Sequence, residues 1–192
     1  MIKRNVIKKR NCVTCRSART KLYLKGEKCY TNCVIDKNTK TLGLVPSKEF
    51  GKLMQNKHNI LTIYGITSTA LKTLMIKYIY SKKYEHLFSV LEMRLDSLVF
   101  RAGIAKSMQH ARQLVNHEKI SVMSGKSDVF PSLLLNINQT FAFRGEDCLF
   151  TNKNCDWIEF DAATKEFKLI ALPTANNYLF DNQLIKDYYK KH

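Results

Sequence analysis

The sequence predicts an α+β fold, and three observations carry that prediction. Apolar residues recur at three-and-four spacing from Ser47 to Val115, short strand-like runs follow from Ile120 onward, and paired cysteines precede both. At 192 residues the chain is long enough for one or two small domains with a modest core. Basic residues outnumber acidic ones 32 to 16, giving a net charge of +16 and a pI near 9.6. A polyanionic partner is the leading expectation from that balance. The charge is uneven: residues 1–115 hold 23 basic and 6 acidic side chains, a balance of +17, whereas residues 116–192 hold 9 and 10. The polyanion should therefore meet the first three-fifths of the chain. Anionic lipid is a minor alternative, because no apolar run approaches the roughly 20 residues of a spanning helix.

The amino terminus, MIKRNVIKKRN, is basic with no apolar run after it, so it does not read as a secretory signal. A cysteine motif begins already at Cys12, which leaves little room for a long transit peptide. The chain is expected either to need no import or to have lost a presequence. Lysine outnumbers arginine 24 to 8 and asparagine occurs 14 times, a bias expected of AT-rich coding sequence. Such sequence is found in an organelle, mitochondrion ahead of plastid, or in a reduced bacterial genome.

The first 33 residues hold ten basic side chains against one acidic, Glu27, together with Cys12, Cys15, Cys29 and Cys33. The spacing C-x2-C-x13-C-x3-C brings two close pairs together across a loop, as tetrahedral thiolate ligation of zinc requires. Two disulfides would need an oxidising compartment that nothing in the chain suggests, and four unrelated thiols would make the paired spacing a coincidence. Four thiolates close the coordination shell, so the one zinc expected is structural, holding together a segment too polar to fold by burial.

From Ser47, a plausible N-cap, a helix is expected with Leu53, Ile60 and Ile63 on its apolar side, ending at Tyr64-Gly65. A second follows through Leu71, Leu74, Met75, Tyr78 and Ile79. Lys48, Lys52, Lys57, Lys72, Lys77, Lys82 and Lys83 decorate the pair. A charge run is often a solvated face, but set against the charge balance a phosphate-facing stripe is the better reading. Next, Leu91, Leu95, Leu98, Val99 and Ala102 mark one face of a helix that puts Arg94 and Arg101 toward another side and stops near Gly103. Ser107 then reads as the N-cap of a helix whose core face is Met108, Ala111, Leu114 and Val115, leaving Arg112, Gln113 and His117 outside. A strand from Ile120 to Met123 completes this unit. Periodicity alone would also allow an ordinary helical hairpin with a solvated charged face.

Arg94-Leu95-Asp96, Val99-Phe100-Arg101, Gly103, Ala111-Arg112-Gln113-Leu114-Val115, His117, Ile120 and Gly125 resemble the RNA-binding module shared by the small-subunit ribosomal protein S-four family and several RNA-modifying enzymes. The resemblance implies that two helices and a strand dock on structured RNA through Arg94, Arg101, Lys106, Ser107, Arg112, Gln113, His117 and Lys119; the charge balance adds Lys48, Lys52 and Lys57 as phosphate-facing residues. The chain departs from the family's pattern at Met108, where a basic residue is usual, and at Val122-Met123-Ser124-Gly125, a turn one residue longer. Cys12-Val13-Thr14-Cys15-Arg16 and the run from Lys21 to Tyr30 are similar to the amino-terminal zinc knuckle of the family's cysteine-containing branch. One residue fewer than usual separates Cys29 from Cys33, and a shorter Val34 to Pro46 segment replaces the family's proline-and-glycine-rich loop.

The resemblance therefore refines the fold class. It implies an N-terminal zinc knuckle and helical subdomain with an inserted helix-turn-helix/strand RNA-binding module and a C-terminal β-containing tail. The expected divisions are 1–46, a basic zinc-binding segment; 47–87, a helical subdomain; 88–145, the RNA-binding domain; and 146–192, a tail packing back on the helical subdomain. Strand-like runs are expected at Ser132 to Ile137, Thr140 to Phe143, Trp157 to Phe160 and Phe167 to Leu172, with Trp157 as a core anchor. Asn182-Gln183-Leu184-Ile185 and Tyr188-Tyr189 resemble the family's carboxy-terminal signature.

Arg94-Leu95-Asp96 also occurs in RNA pseudouridine synthases, where the aspartate is catalytic. There a Thr-Ser-Gly-type turn follows, whereas here Ser97-Leu98-Val99-Phe100 continues a helix, so Asp96 is read as the partner of a neighbouring arginine. No nucleophile elbow, phosphate-cradling glycine loop or His-Glu zinc motif is present. A DNA-binding helix-turn-helix shares the charge and the cysteines, but Lys106, Ser107, Met108 and Gln109 are a thin set of base readers. The expectation is a non-catalytic constituent of the small ribosomal subunit that binds its RNA directly and contacts neighbouring ribosomal proteins. With it come a part in assembling the subunit body and an influence at the messenger entry and on decoding accuracy. A free RNA-binding or RNA-modifying factor is the alternative.

Overall fold

The computed structural model describes residues 11–26, 28–37, 48–80, 87–123, 128–145 and 155–173, together with Ile185, Tyr188 and Tyr189. In chain order the helices are α1 (Asn11–Ala18), α2 (Lys28–Thr31), α3 (Val34–Lys37), α4 (Glu49–Ile63), α5 (Ser68–Tyr80), α6 (Leu87–Glu92), α7 (Leu95–Arg101) and α8 (Met108–Asn116). The strands are β1 (Ile120–Val122), β2 (Thr140–Phe143), β3 (Ile158–Asp161) and β4 (Glu166–Leu169). The α+β class is as the sequence predicts. No helix among the described residues is long and apolar enough to cross a membrane.

The amphipathic stripes build two main cores. Ile60 of α4, Tyr64 at its end, Leu71 and Met75 of α5 and Leu87, Phe88 and Leu91 of α6 pack together with Ile185. Leu95, Leu98 and Val99 of α7 and Ala111 and Val115 of α8 pack against Ile120, Phe141, Phe167 and Leu169 from one face of the sheet. The sheet is antiparallel in the order β1-β2-β4-β3, with Val122 opposite Phe141, Phe141 opposite Phe167 and Phe160 opposite Phe167. A third, small cluster of Cys15, Ala18, Leu22 and Leu24 packs against Ile35 and Ile63.

Helix ends follow local chemistry. α4 stops at Tyr64 because Gly65 takes φ +56°, a left-handed turn that glycine adopts without steric cost. The Thr67 hydroxyl accepts the Ala70 N–H and caps α5. Ser107, in extended backbone, accepts the His110 N–H at 3.2 Å and caps α8 as expected. The cap expected at Ser47 falls outside the described residues, and the position before α4 is Lys48, which makes no side-chain cap bond.

Three expectations are corrected. The helix expected from Leu91 to Gly103 is two helices, α6 and α7, broken at Met93-Arg94. The break arises because the 131–135 segment competes for that backbone: Leu135 N–H donates to Met93 C=O, Leu95 N–H to Leu133 C=O and Asp96 N–H to Pro131 C=O. For the same reason Ser132 to Ile137 is not a sheet strand but forms an isolated bridge between Leu134 and Arg94. Finally, β3 and β4 pair through β4 with β2, so this part of the expected 146–192 tail extends the central sheet. Ile185 and Tyr189 do pack on the helical cluster.

Candidate nucleic-acid interface

Electrostatics sorts the expected RNA-facing residues into two groups. Arg94 is 1% exposed, and its guanidinium donates through Nε (3.0 Å) and Nη2 (2.6 Å) to the two carboxylate oxygens of Asp96, itself wholly buried. Asp96 Oδ1 also accepts the Ser97 N–H at 2.9 Å. Arg101 makes a second fork, Nε to Glu92 Oε2 at 2.9 Å and Nη2 to Oε1 at 2.7 Å, while the Tyr64 hydroxyl donates to Glu92 Oε1 at 2.9 Å. Burial works against the Arg101 charge. The Glu92 carboxylate more than offsets it, by charge and by hydrogen bond, and raises the guanidinium pKa well above its usual value. Arg112 is half-buried and spans the two cores, donating to the carbonyls of Tyr64 and Gly65 and approaching Asp96 to 3.8 Å.

Of the three arginines expected to face RNA, Arg94 is buried inside the fold, while Arg101 and Arg112 are partly exposed with their guanidinium groups paired internally. A charge as deeply buried as that of Arg94 must be paired, and it is. Asp96 is the partner of a neighbouring arginine, as expected, and with both oxygens occupied it is not presented to a substrate base. Lys57 is partly buried, its ammonium 3.3 Å from the Tyr188 hydroxyl and over the rings of Tyr188 and Tyr189 at 4.7 and 5.6 Å. Ser107 is taken up in its cap.

The second group is solvent-facing. Lys48, Lys52 and Lys72 on the helical cluster and Lys106, Gln113, His117 and Lys119 around α8 are all exposed. Gln109, Gln113, Asn116 and His117 recur at helical spacing on the outer face of α8, and Lys106 and Lys119 flank its two ends. Lys82 and Lys83 lie outside the described residues, as do the side chain of Lys77 and the whole of Cys148. Sequence reasoning missed Glu92, which accepts from Arg101, and Tyr64, whose hydroxyl donates to Glu92. The available signal was three charges, Glu92, Arg94 and Asp96, within an otherwise apolar run.

At the amino-terminal end, Cys12 and Cys15 sit on α1, Cys29 on α2 and Cys33 just before α3. All four line one cavity of about 20 Å³, together with Asn11, Leu24, Lys25, Val34 and Ile35. Cys29 Sγ accepts the Lys25 N–H at 3.4 Å. Burial pushes the Cys15 thiol up, a hydrogen bond with the Leu22 backbone opposes this, and Cys29, Cys12 and Cys33 add to the rise, as expected of sulfurs that share a site. Four cysteine sulfurs are the donor type that zinc takes. Among the described residues no group of three or more His, Cys, Asp or Glu stands where it could hold a metal ion. The structure thus gathers the four cysteines without drawing them into a coordination shell.

Residues 93–122, covering α7, α8 and β1, match the family described as "S4 domain". Over nearly its whole length the chain is similar to curated proteins named "Small ribosomal subunit protein uS4". That of Endomicrobium trichonymphae is 30% identical over 203 residues, covering 94% of this chain and 96% of the relative. Those of Halothermothrix orenii and Acetivibrio thermocellus are each 30% identical, over 201 and 206 residues, covering 94% of this chain and 96% and 97% of theirs. With end-to-end similarity to these proteins and the domain match falling on α7, α8 and β1, the chain belongs to the uS4 family of small ribosomal subunit proteins.

Proposed function

We propose that this chain is a structural constituent of the small ribosomal subunit that binds small-subunit ribosomal RNA directly. The observation that carries the reading is the coincidence of the matched domain with an α8 whose outer face is polar and whose two ends carry exposed lysines, reaching the end of the stretch (residues 1–115) of balance +17. Lys106, Gln113, His117 and Lys119 would meet RNA there, with Lys48 and Lys52 extending the contact onto α4. Lysines at such positions neutralise phosphates and fix register without reading bases. The arginine forks act one step behind, holding α7 and α8 so that this face keeps its shape. A non-catalytic role suits Asp96, whose carboxylate is consumed inside the protein. Neighbouring ribosomal proteins are partners in the same reading, and a part in building the subunit body, at the messenger entry and in decoding accuracy is its finer form.

One structural zinc on Cys12, Cys15, Cys29 and Cys33 belongs to the proposal. What supports it is the shared cavity and a donor set of four thiolates; when bound, the metal would supply cross-linking of α1, α2 and the turn before α3. The lysine and asparagine bias supports an AT-rich genome, organellar or bacterial, and the relatives named above come from bacteria. Pull-down of the tagged chain followed by sequencing of bound RNA tests the function. Enrichment of small-subunit ribosomal RNA is expected, whereas enrichment of another RNA class, or uridine isomerisation in the recovered RNA, would overturn it.

A further inference from the structure

The amino-terminal segment presents an aromatic pair that the contacts above do not use. Tyr30 on α2 is 66% exposed, far more than a tyrosine recruited to a core, and its ring stacks on Tyr23 with centroids 4.8 Å apart and planes 30° from parallel. Tyr23 is held at φ +51°, a left-handed conformation that bulky side chains rarely adopt. Such strain persists only where the surroundings enforce it, and here it sets the ring under Tyr30. The surroundings are fixed by a close backbone approach. A Cβ on Gly26 would lie 1.8 Å from the Lys106 carbonyl oxygen, so the turn between the two tyrosines is seated on the loop that leads into α8. Lys25 and Lys106, on the two sides of this junction, are exposed.

We propose that Tyr30, backed by Tyr23, is a stacking platform that takes one unpaired nucleobase of the bound RNA. A preorganised aromatic face beside a junction that carries exposed lysines is what unstacked bases seek. Every base has a π-face, so the contact needs no particular sequence. The inference rests on the RNA-binding reading above and adds a contact of a different kind, apolar and insensitive to salt.

The test is equilibrium binding of a small-subunit ribosomal RNA transcript to the full chain and to Tyr30→Ala, Tyr30→Leu, Tyr30→Phe and Tyr30→Trp, each at several salt concentrations, with thermal melts run alongside. Tyr30→Leu keeps apolar bulk against Tyr23 without a π-face, so it carries the test if Tyr30→Ala fails to fold. Tyr30→Ala and Tyr30→Leu should bind about tenfold more weakly with an unchanged salt slope, while the aromatic variants stay close to wild type. Leucine binding like tyrosine, phenylalanine losing as much as leucine, or a salt slope that flattens in the leucine variant would each overturn the platform. Wild-type chain that fails to bind the transcript at all would instead defeat the RNA-binding reading itself.

Discussion

At the scale of residues, the internally paired arginines and the exposed lysines do different work. Removing one partner of a buried ion pair leaves an uncompensated charge, which costs about 3–5 kcal/mol. Asp96→Asn strands Arg94, so it should lower the denaturation free energy by about 3 kcal/mol or more. In a chain of this size that is roughly 6 °C or more in Tm, and a shift within about 1 °C would show that the fork is dispensable. Lys106→Ala and Lys119→Ala touch no core, so they should change stability by no more than about 0.5 kcal/mol.

The internal pairing of the arginines was not legible in the sequence, and the reason is physical. A charge opposite an apolar stripe is read as solvated because one core is assumed. α7 packs on the sheet core, and its Asp96 and Arg101 find internal partners in Arg94 and Glu92. The exposed positions of α8 were legible, because Gln113 and His117 lie opposite a single stripe and Ser107 marks the start.

At the scale of elements, two devices set how the units meet. Gly65 turns the chain from α4 to α5 at φ +56°, and a Cβ there would lie 3.0 Å from Arg112 Nη1. Gly65→Ala should therefore cost about 1–2 kcal/mol, chiefly as left-handed strain, since the arginine end can shift. Denaturant midpoints would check it, and an unchanged midpoint would contradict it. The other device is the cysteine segment, whose helices of eight, four and four residues are too short to persist alone. If zinc supplies the missing stability, purified protein should contain about one equivalent, and chelation should unfold this segment while the sheet core stays folded. Zinc-free protein purified under reducing conditions would refute the ligand assignment. The paired cysteine spacing and three of the four strand-like runs were legible. The fourth, Ser132 to Ile137, was not, because its hydrogen-bonding partner is the start of a helix about 40 residues earlier in the chain rather than a neighbouring strand, and periodicity carries no information on such pairing.

At the scale of the whole molecule, charge is segregated: the first 115 residues carry the positive balance and the remainder is neutral within one charge. Lys165 and Lys168 are exposed on and beside β4, so they are matched controls for Lys106 and Lys119. The most direct test of the account is a salt titration of binding to small-subunit ribosomal RNA for Lys106→Ala, Lys119→Ala, Lys165→Ala and Lys168→Ala in parallel. Removing a lysine that neutralises a phosphate should lower affinity by about 1 kcal/mol and make the slope of log K against log salt shallower by about one unit. The account predicts that weakening for Lys106 and Lys119, with Lys165 and Lys168 indistinguishable from wild type. A flattened slope in the β4 variants, with none in those flanking α8, would contradict it.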